Sequence, residues 1–251
     1  MNSKKVSKNE LKPLYIQIRS DEVTKDEEFA EFVRYSGIPI ENFTVVNVFN
    51  EPRFDAGRLD DHDLLFVGGT SDDNDDVSPP PILLEPSEST ARVLKGALDA
   101  NLPTLASCFG FQVAIVHLGG ELVYDPAKME MGSYDLCLTD EAKSDPIFCD
   151  TPNPFHAISG HKKRASKLPE GAVLLAYSDL CPIHAMRIGD NFYATQFHPE
   201  LDDRDLVARI TRYQERYPLG DNGLQNIIDT IKPTPDSNAL LKKFVEHIVL
   251  G

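Results

Sequence analysis

Residues 103–120 constrain the fold more than any other stretch: Pro103-Thr-Leu-Ala-Ser-Cys108-Phe-Gly-Phe-Gln112-Val-Ala-Ile-Val-His-Leu-Gly-Gly120. A buried strand gives way, across Cys108, to an apolar helix. A turn that reverses from strand to helix in so few residues leaves no room for bulk two places either side of its tip. Ala106 and Gly110 stand at those places. Such an elbow lifts the thiol clear of the sheet and sets it at a helix N-terminus. Free N–H groups and the positive end of the helix dipole there favour thiolate over thiol. Cys108 is therefore a candidate nucleophile.

The rest of the chain alternates in a way that suits this elbow. Strands are expected at 14–19, at 43–49, rich in β-branched residues, and at 64–67, stopped by Gly68-Gly69. A helix over 27–35 follows an acidic N-cap region and ends near Gly37, and another is expected over about 90–100. This order predicts an α/β fold, a doubly wound and mainly parallel sheet with flanking helices, with active residues at the carboxyl ends of the strands. From 122 to 197 the chain reads as short strands, among them 173–177, 183–188 and 192–197, with a hairpin at Gly189-Asp-Asn191. These supply a smaller mixed or antiparallel set. An amphipathic helix over 202–217, a break at Pro218-Leu-Gly220, and helices over 225–231 and 237–249, separated by Pro233-Thr-Pro235, close a single domain spanning 1–251. Its last part, 218–251, is a helical extension.

Between Ser71 and Ser89, the run Asp72-Asp-Asn-Asp-Asp76 and then Pro79-Pro-Pro81 predicts a loop, because the aspartates repel and prolines lack a donor. It has neither the glycine turn nor the terminal glutamate of a calcium loop. Since it directly follows Gly68-Gly69, it is expected to border the cleft.

A net charge of −15 argues against nucleic-acid or anionic-membrane partners, which need a basic surface. The four cysteines, at 108, 137, 149 and 181, form no CxxC pair, so neither a zinc site nor a disulfide framework is expected. Cys137, Cys149 and Cys181 read as packing residues. The polar N-terminus holds no signal-peptide core and no run approaches membrane-spanning length, so a cytoplasmic location is expected. No metal and no cofactor is called for.

The second constellation is Gln196-Phe-His198-Pro199-Glu200. In extended backbone alternate side chains share a face, which would put His198 and Glu200 together. A carboxylate beside an imidazole fixes its tautomer and stabilises the imidazolium. With Cys108 this makes a Cys-His-Glu set, the layout of nucleophilic catalysis.

Together with Asp63-Leu-Leu-Phe-Val-Gly-Gly-Thr-Ser71, Glu130-Met-Gly132 and Thr195-Gln-Phe-His-Pro-Glu200, the elbow resembles the ordered motifs of class I glutamine amidotransferases. The chain is similar in particular to free-standing proteins like the glutaminase domain of GMP synthetase, over about 12–215. The resemblance implies a flavodoxin-like architecture and release of ammonia from L-glutamine through a γ-glutamyl thioester on Cys108. His198 would be acid and base, and Glu200 its orienting carboxylate. It further implies oxyanion donors at the backbone of Gly69 and Phe109, a substrate contact at Gln112, and a substrate-gripping main chain at Gly132, Ser133 and Tyr134.

Two departures stand out: Phe111 where many relatives have histidine, and Gly160-His161-Lys162-Lys163, in which a base replaces an acid. His161 reads as a loop histidine outside the catalytic set. The 251 residues hold no ATP-binding Gly-rich loop, so a separate ammonia-accepting synthetase is the implied partner. The alternatives are hydrolysis of a γ-glutamyl peptide or other γ-glutamyl compound with the same triad, or a catalytically silent regulatory or binding protein on this fold.

Overall fold

The computed structural model describes residues 7–212 and 223–251. The strands, in chain order, are β1 (Pro13–Gln17), β2 (Thr44–Asn47), β3 (Leu64–Val67), β4 (Thr104–Ser107), β5 (Glu121–Tyr124), β6 (Glu130–Leu138), β7 (Phe155–His161), β8 (Lys163–Lys167), β9 (Ala172–Tyr177), β10 (Ala185–Ile188) and β11 (Phe192–Thr195). The helices are α1 (Glu22–Ser36), α2 (Pro81–Asp99), α3 (Phe109–His117), α4 (Asp203–Arg212), α5 (Gly223–Thr230) and α6 (Pro235–Lys243), the last running on into a π-helical turn at Phe244–Val249.

Nine strands form one sheet in the order β2-β1-β3-β4-β11-β10-β9-β6-β7. The first five are parallel to their neighbours and the remainder pair antiparallel. A separate ribbon pairs β5 with β8. Both faces of the parallel half are covered, which is why its strands read as unbroken apolar runs. Along β1, Leu14 and Ile16 join the core beneath α2 and α3, while Tyr15 joins the opposite core with Phe32 of α1 and Leu240 of α6. β3 divides likewise, Leu65 and Val67 against Leu64 and Phe66. The expected doubly wound sheet with a smaller antiparallel set is thus what the chain forms.

Several boundaries differ from the sequence reading for identifiable reasons. α2 begins at Pro81, well before residue 90. Proline at the first helical position costs nothing, since that N–H has no partner in any helix. The helix then runs through Pro86 because its buried stripe of Leu83, Ala91, Val93, Leu94 and Ala97 outweighs one missing bond. The region after 122 includes a long hairpin, β6 with nine residues and β7 with seven, where only short strands were expected. β11 stops at Thr195, so 196–200 is a turn and not strand. Cys149 is exposed, which removes it from the packing residues, and all four cysteines are free thiols. The end of the helix expected over 202–217 and the break at 218–220 lie outside the described residues. Among the described residues no helix is long and apolar enough to cross a membrane.

Candidate active site

The carboxyl ends of β1, β3, β4 and β11 lie side by side in the parallel half of the sheet, and each delivers part of the site. After β4, Cys108 sits at φ +50° and ψ −101°, a conformation that L residues adopt at a cost of about 1–3 kcal/mol. Its N–H is held by the carbonyl of Thr195 on β11, at 2.8 Å, and its carbonyl accepts from the N–H of Gln112, at 3.0 Å, the first turn of α3. Gly110 shows why the elbow needs small residues. A Cβ there would stand 2.8 Å from Val67 Cγ1 and 3.1 Å from the Val67 carbonyl oxygen. The same packing lets the Gly110 N–H donate to Gly68 at 3.2 Å, tying the elbow to the end of β3.

After β11, the turn through Pro199 brings His198 Nδ1 to 2.6 Å from Glu200 Oε1. The pair meets, though through a turn and not through extended backbone. The His198 N–H donates to Ile158 of β7 at 2.8 Å, and Asn238 of α6 donates to the carbonyls of Pro199 and Leu201 at 3.0 and 2.9 Å. Glu200 is fully buried and also accepts from Ser107 Oγ at 3.2 Å. Burial works against an imidazolium at His198. The charge of a Cys108 thiolate, then that of Glu200, outweighs it and pushes the His198 pKa up to about 10. Burial likewise works to raise Glu200, and the facing His198 charge holds its carboxyl below the ordinary value. The arrangement keeps an imidazolium at His198 beside the Cys108 sulfur.

Gly69 closes the other side. A Cβ on it would come within 2.8 Å of His198 Cε1 and 3.2 Å of Cys108 Cβ, so only glycine lets this main chain reach the thiol. Phe109 is the first residue of α3, and its N–H has no partner inside the helix. The two expected oxyanion donors therefore lie on segments that flank Cys108.

Beneath this loop sits Arg19, which the sequence reading did not single out. It is buried, and donates through Nε and Nη2 to Glu28 Oε1 at 2.9 and 2.7 Å and through Nη1 to Ser71 Oγ at 2.7 Å. Burial disfavours its charge, but the facing Glu28 carboxylate holds the guanidinium above its usual range. No local motif announces Arg19, because its partners lie on α1 and on the loop after β3.

A cavity of about 190 Å³ opens over Cys108, below the range of drug-sized pockets and suited to a small ligand. Gln112 lines it, as do Asp73, Asn74 and Asp75, so the acidic loop borders the cleft as expected. Lys163 Nζ and Lys162 Nζ each reach 2.6 Å from that loop, at Asp73 and Asp75. Met129, just before β6, and Met131, at its start, line the cavity. Gly132, Ser133 and Tyr134 do not line it: Gly132 packs near Ile227, Ser133 Oγ accepts from the Lys232 N–H at 2.8 Å, and Tyr134 Oη accepts from the Met131 N–H at 2.9 Å.

His161 also corrects the sequence reading. It ends β7, is buried, lines the cavity, and stands 3.0 Å from Glu130 Oε2. His184 approaches the same carboxylate at 3.1 Å, and Cys181 lies beside them.

Fold and geometry define a class: doubly wound α/β proteins with a cysteine on a strand–helix elbow and a histidine–carboxylate pair in the turn after the neighbouring strand. The model of the family described as glutamine amidotransferase class-I matches residues 38–212, and the chain belongs to that family. One component chain of a glutamine-hydrolysing GMP synthase from Methanocaldococcus jannaschii is 37% identical over 106 residues, covering 42% of this chain and 54% of that protein. A glutamine-hydrolysing GMP synthase from Borreliella burgdorferi is 32% identical over 158 residues, 60% of this chain and 29% of that one. The matches thus span about half of the Methanocaldococcus protein and under a third of the Borreliella enzyme. A crystal structure of a glutamine amidotransferase from Thermotoga maritima shares the fold with a TM-score of 0.73 at 17% identity, over 95% of this chain and 98% of the other.

Proposed function

We propose that the chain is a glutaminase that hydrolyses the side-chain amide of L-glutamine and passes the ammonia to a separate synthetase. The observation that carries this reading is the buried His198–Glu200 pair, 2.6 Å apart, beside a cysteine held at positive φ on the elbow. In the proposed sequence the Cys108 thiolate attacks the amide carbon, and the developing oxyanion is met by the N–H groups of Gly69 and Phe109. His198, protonated at rest, gives its proton to the departing nitrogen, and ammonia leaves. The γ-glutamyl thioester remains on Cys108. His198, now neutral, takes a proton from water as the water oxygen attacks the thioester. Collapse expels the thiolate and glutamate departs. Glu200 keeps the ring aimed and stabilises each imidazolium.

Gln112 and the Met129–Met131 backbone would grip the amino-acid end of the substrate. The name of the Methanocaldococcus relative, one component of a glutamine-hydrolysing synthase, supports a division of labour between glutaminase and acceptor chains.

The test is a hydrolysis panel of the purified chain against L-glutamine and several γ-glutamyl peptides, with Cys108→Ala as control. Glutamate release from glutamine, lost by at least about 10³-fold in the variant, supports the reading. Unchanged turnover in the variant contradicts the nucleophile, and preference for peptides contradicts the substrate.

A further inference from the structure

Behind the cavity wall, which His161 lines, lies a cluster that the proposed glutaminase chemistry leaves unused. His161 ends β7, while Cys181 and His184 lie in the segment leading into β10. All three are buried, at 6%, 0% and 0% exposure. Each offers one ligand atom, and the three atoms lie within 4.8 Å of one another. Glu130, fully buried at the start of β6, stands between the rings, 3.0 Å from His161 Nε2 and 3.1 Å from His184 Nε2.

With both Nε2 atoms turned to the carboxylate, the Nδ1 atoms of His161 and His184 are left over. Each is buried with no hydrogen-bond partner among the described residues. The Cys181 thiol donates to the Ile183 carbonyl oxygen at 3.4 Å and stands against His184, so hydrogen bonds account for the thiol but not for the His161 Nδ1 lone pair. A cation does, since it takes lone pairs that no donor reaches. A carboxylate that fixes imidazoles through their far nitrogens is also the usual outer support of a metal site.

We propose that His161, Cys181 and His184 bind a divalent cation of the zinc class, with Glu130 orienting both rings. Two imidazoles and a thiolate select zinc over magnesium or calcium, which take oxygen ligands. Ligand atoms around a tetrahedral zinc stand on the order of 3.5 Å apart, so a small rotation of these side chains closes the site. Coordination takes the Cys181 thiol as thiolate, its proton leaving to solvent. The ion pins the end of β7 to the segment before β10. It thereby fixes the cavity wall from which Lys162 and Lys163 hold the acidic loop. The proposal does not depend on the glutaminase reading.

The test uses the full chain, stripped with chelator and reloaded with zinc, or with cobalt(II) as a spectroscopic stand-in. Because Cys108 lies beside His198, every measurement is repeated in Cys108→Ala. Expected are a single equivalent of zinc retained after desalting, a thiolate-to-cobalt charge-transfer band present in Cys108→Ala and lost in Cys181→Ser, and a zinc-dependent rise in Tm absent from His184→Gln. Glu130→Gln should weaken zinc binding about 10–100-fold. Metal that washes out, or a charge-transfer band that survives Cys181→Ser, overturns the proposal. Should Cys181→Ser fail to fold, absence of the band from folded Cys108→Ala overturns it equally.

Discussion

Cys108 is held in a conformation that a free chain avoids, and three neighbours keep it there: the Thr195 carbonyl on its N–H, the Gly110–Gly68 bond, and the lack of any Cβ at Gly110. Gly110→Ala should therefore push against Val67 and cost about 1–3 kcal/mol, read as a lower midpoint in urea unfolding. A stability within about 0.5 kcal/mol of the parent, the scatter of a neutral surface change, would remove the close packing from the account. The His198–Glu200 pair makes a prediction about pH. Because the folded imidazole is raised to about 10, the imidazolium persists well above its ordinary 6.5, and the stability it contributes, fully present below 6.5, is lost as pH rises through the folded value. Glu200→Gln removes one of the charges that raise it, so the alkaline limb of kcat/KM should move to lower pH; a limb that stays in place or moves up contradicts the pairing. At this scale the sequence was informative where chemistry is local. Cys108, His198 and Glu200 were legible because elbow and His-Pro-Glu are short motifs. Arg19, Ser107 and Asn238 were not, since each acts on a residue distant in sequence or, for Ser107, through a partner that only the sheet brings near.

Among the elements, α6 bears on the site more than its distance in sequence suggests. It lies outside the residues matched by the family model, yet Asn238 holds the Pro199 and Leu201 carbonyls on both sides of Glu200. Asn238→Ala should loosen that turn and lower kcat roughly tenfold, equivalent to about 1.4 kcal/mol, with KM changed far less. A rise in KM alone would assign Asn238 to substrate binding. The parallel strands were legible because burial on both faces writes them as continuous apolar runs. α2 was misread at its start because Pro79-Pro-Pro81 looks like a breaker, although the first turn of a helix tolerates proline. The β6–β7 hairpin was read as short pieces, since glycine and charged residues interrupt strands that pairing nevertheless completes.

For the whole molecule, the parallel half of the sheet gathers the chemistry and the antiparallel half builds the far wall of the cavity. Topology joins them: β11 pairs with β4 on one side and β10 on the other, so His198 reaches Cys108 while the residues before β10 reach His161. That juxtaposition is invisible in the sequence, where Glu130, His161, Cys181 and His184 share no motif. The family match makes the chain a class I glutamine amidotransferase, and the proposed function assigns its thiol, imidazole and carboxylate the roles of nucleophile, base and orienting group. The most direct test of this account is mass spectrometry of the chain quenched in acid during turnover of L-glutamine. A single γ-glutamyl group on the peptide that contains Cys108, absent when Cys108 is replaced by alanine, is the predicted result. Glutamate release with no such adduct at any quench time, or an adduct that persists in the alanine variant, would contradict the thioester at the elbow.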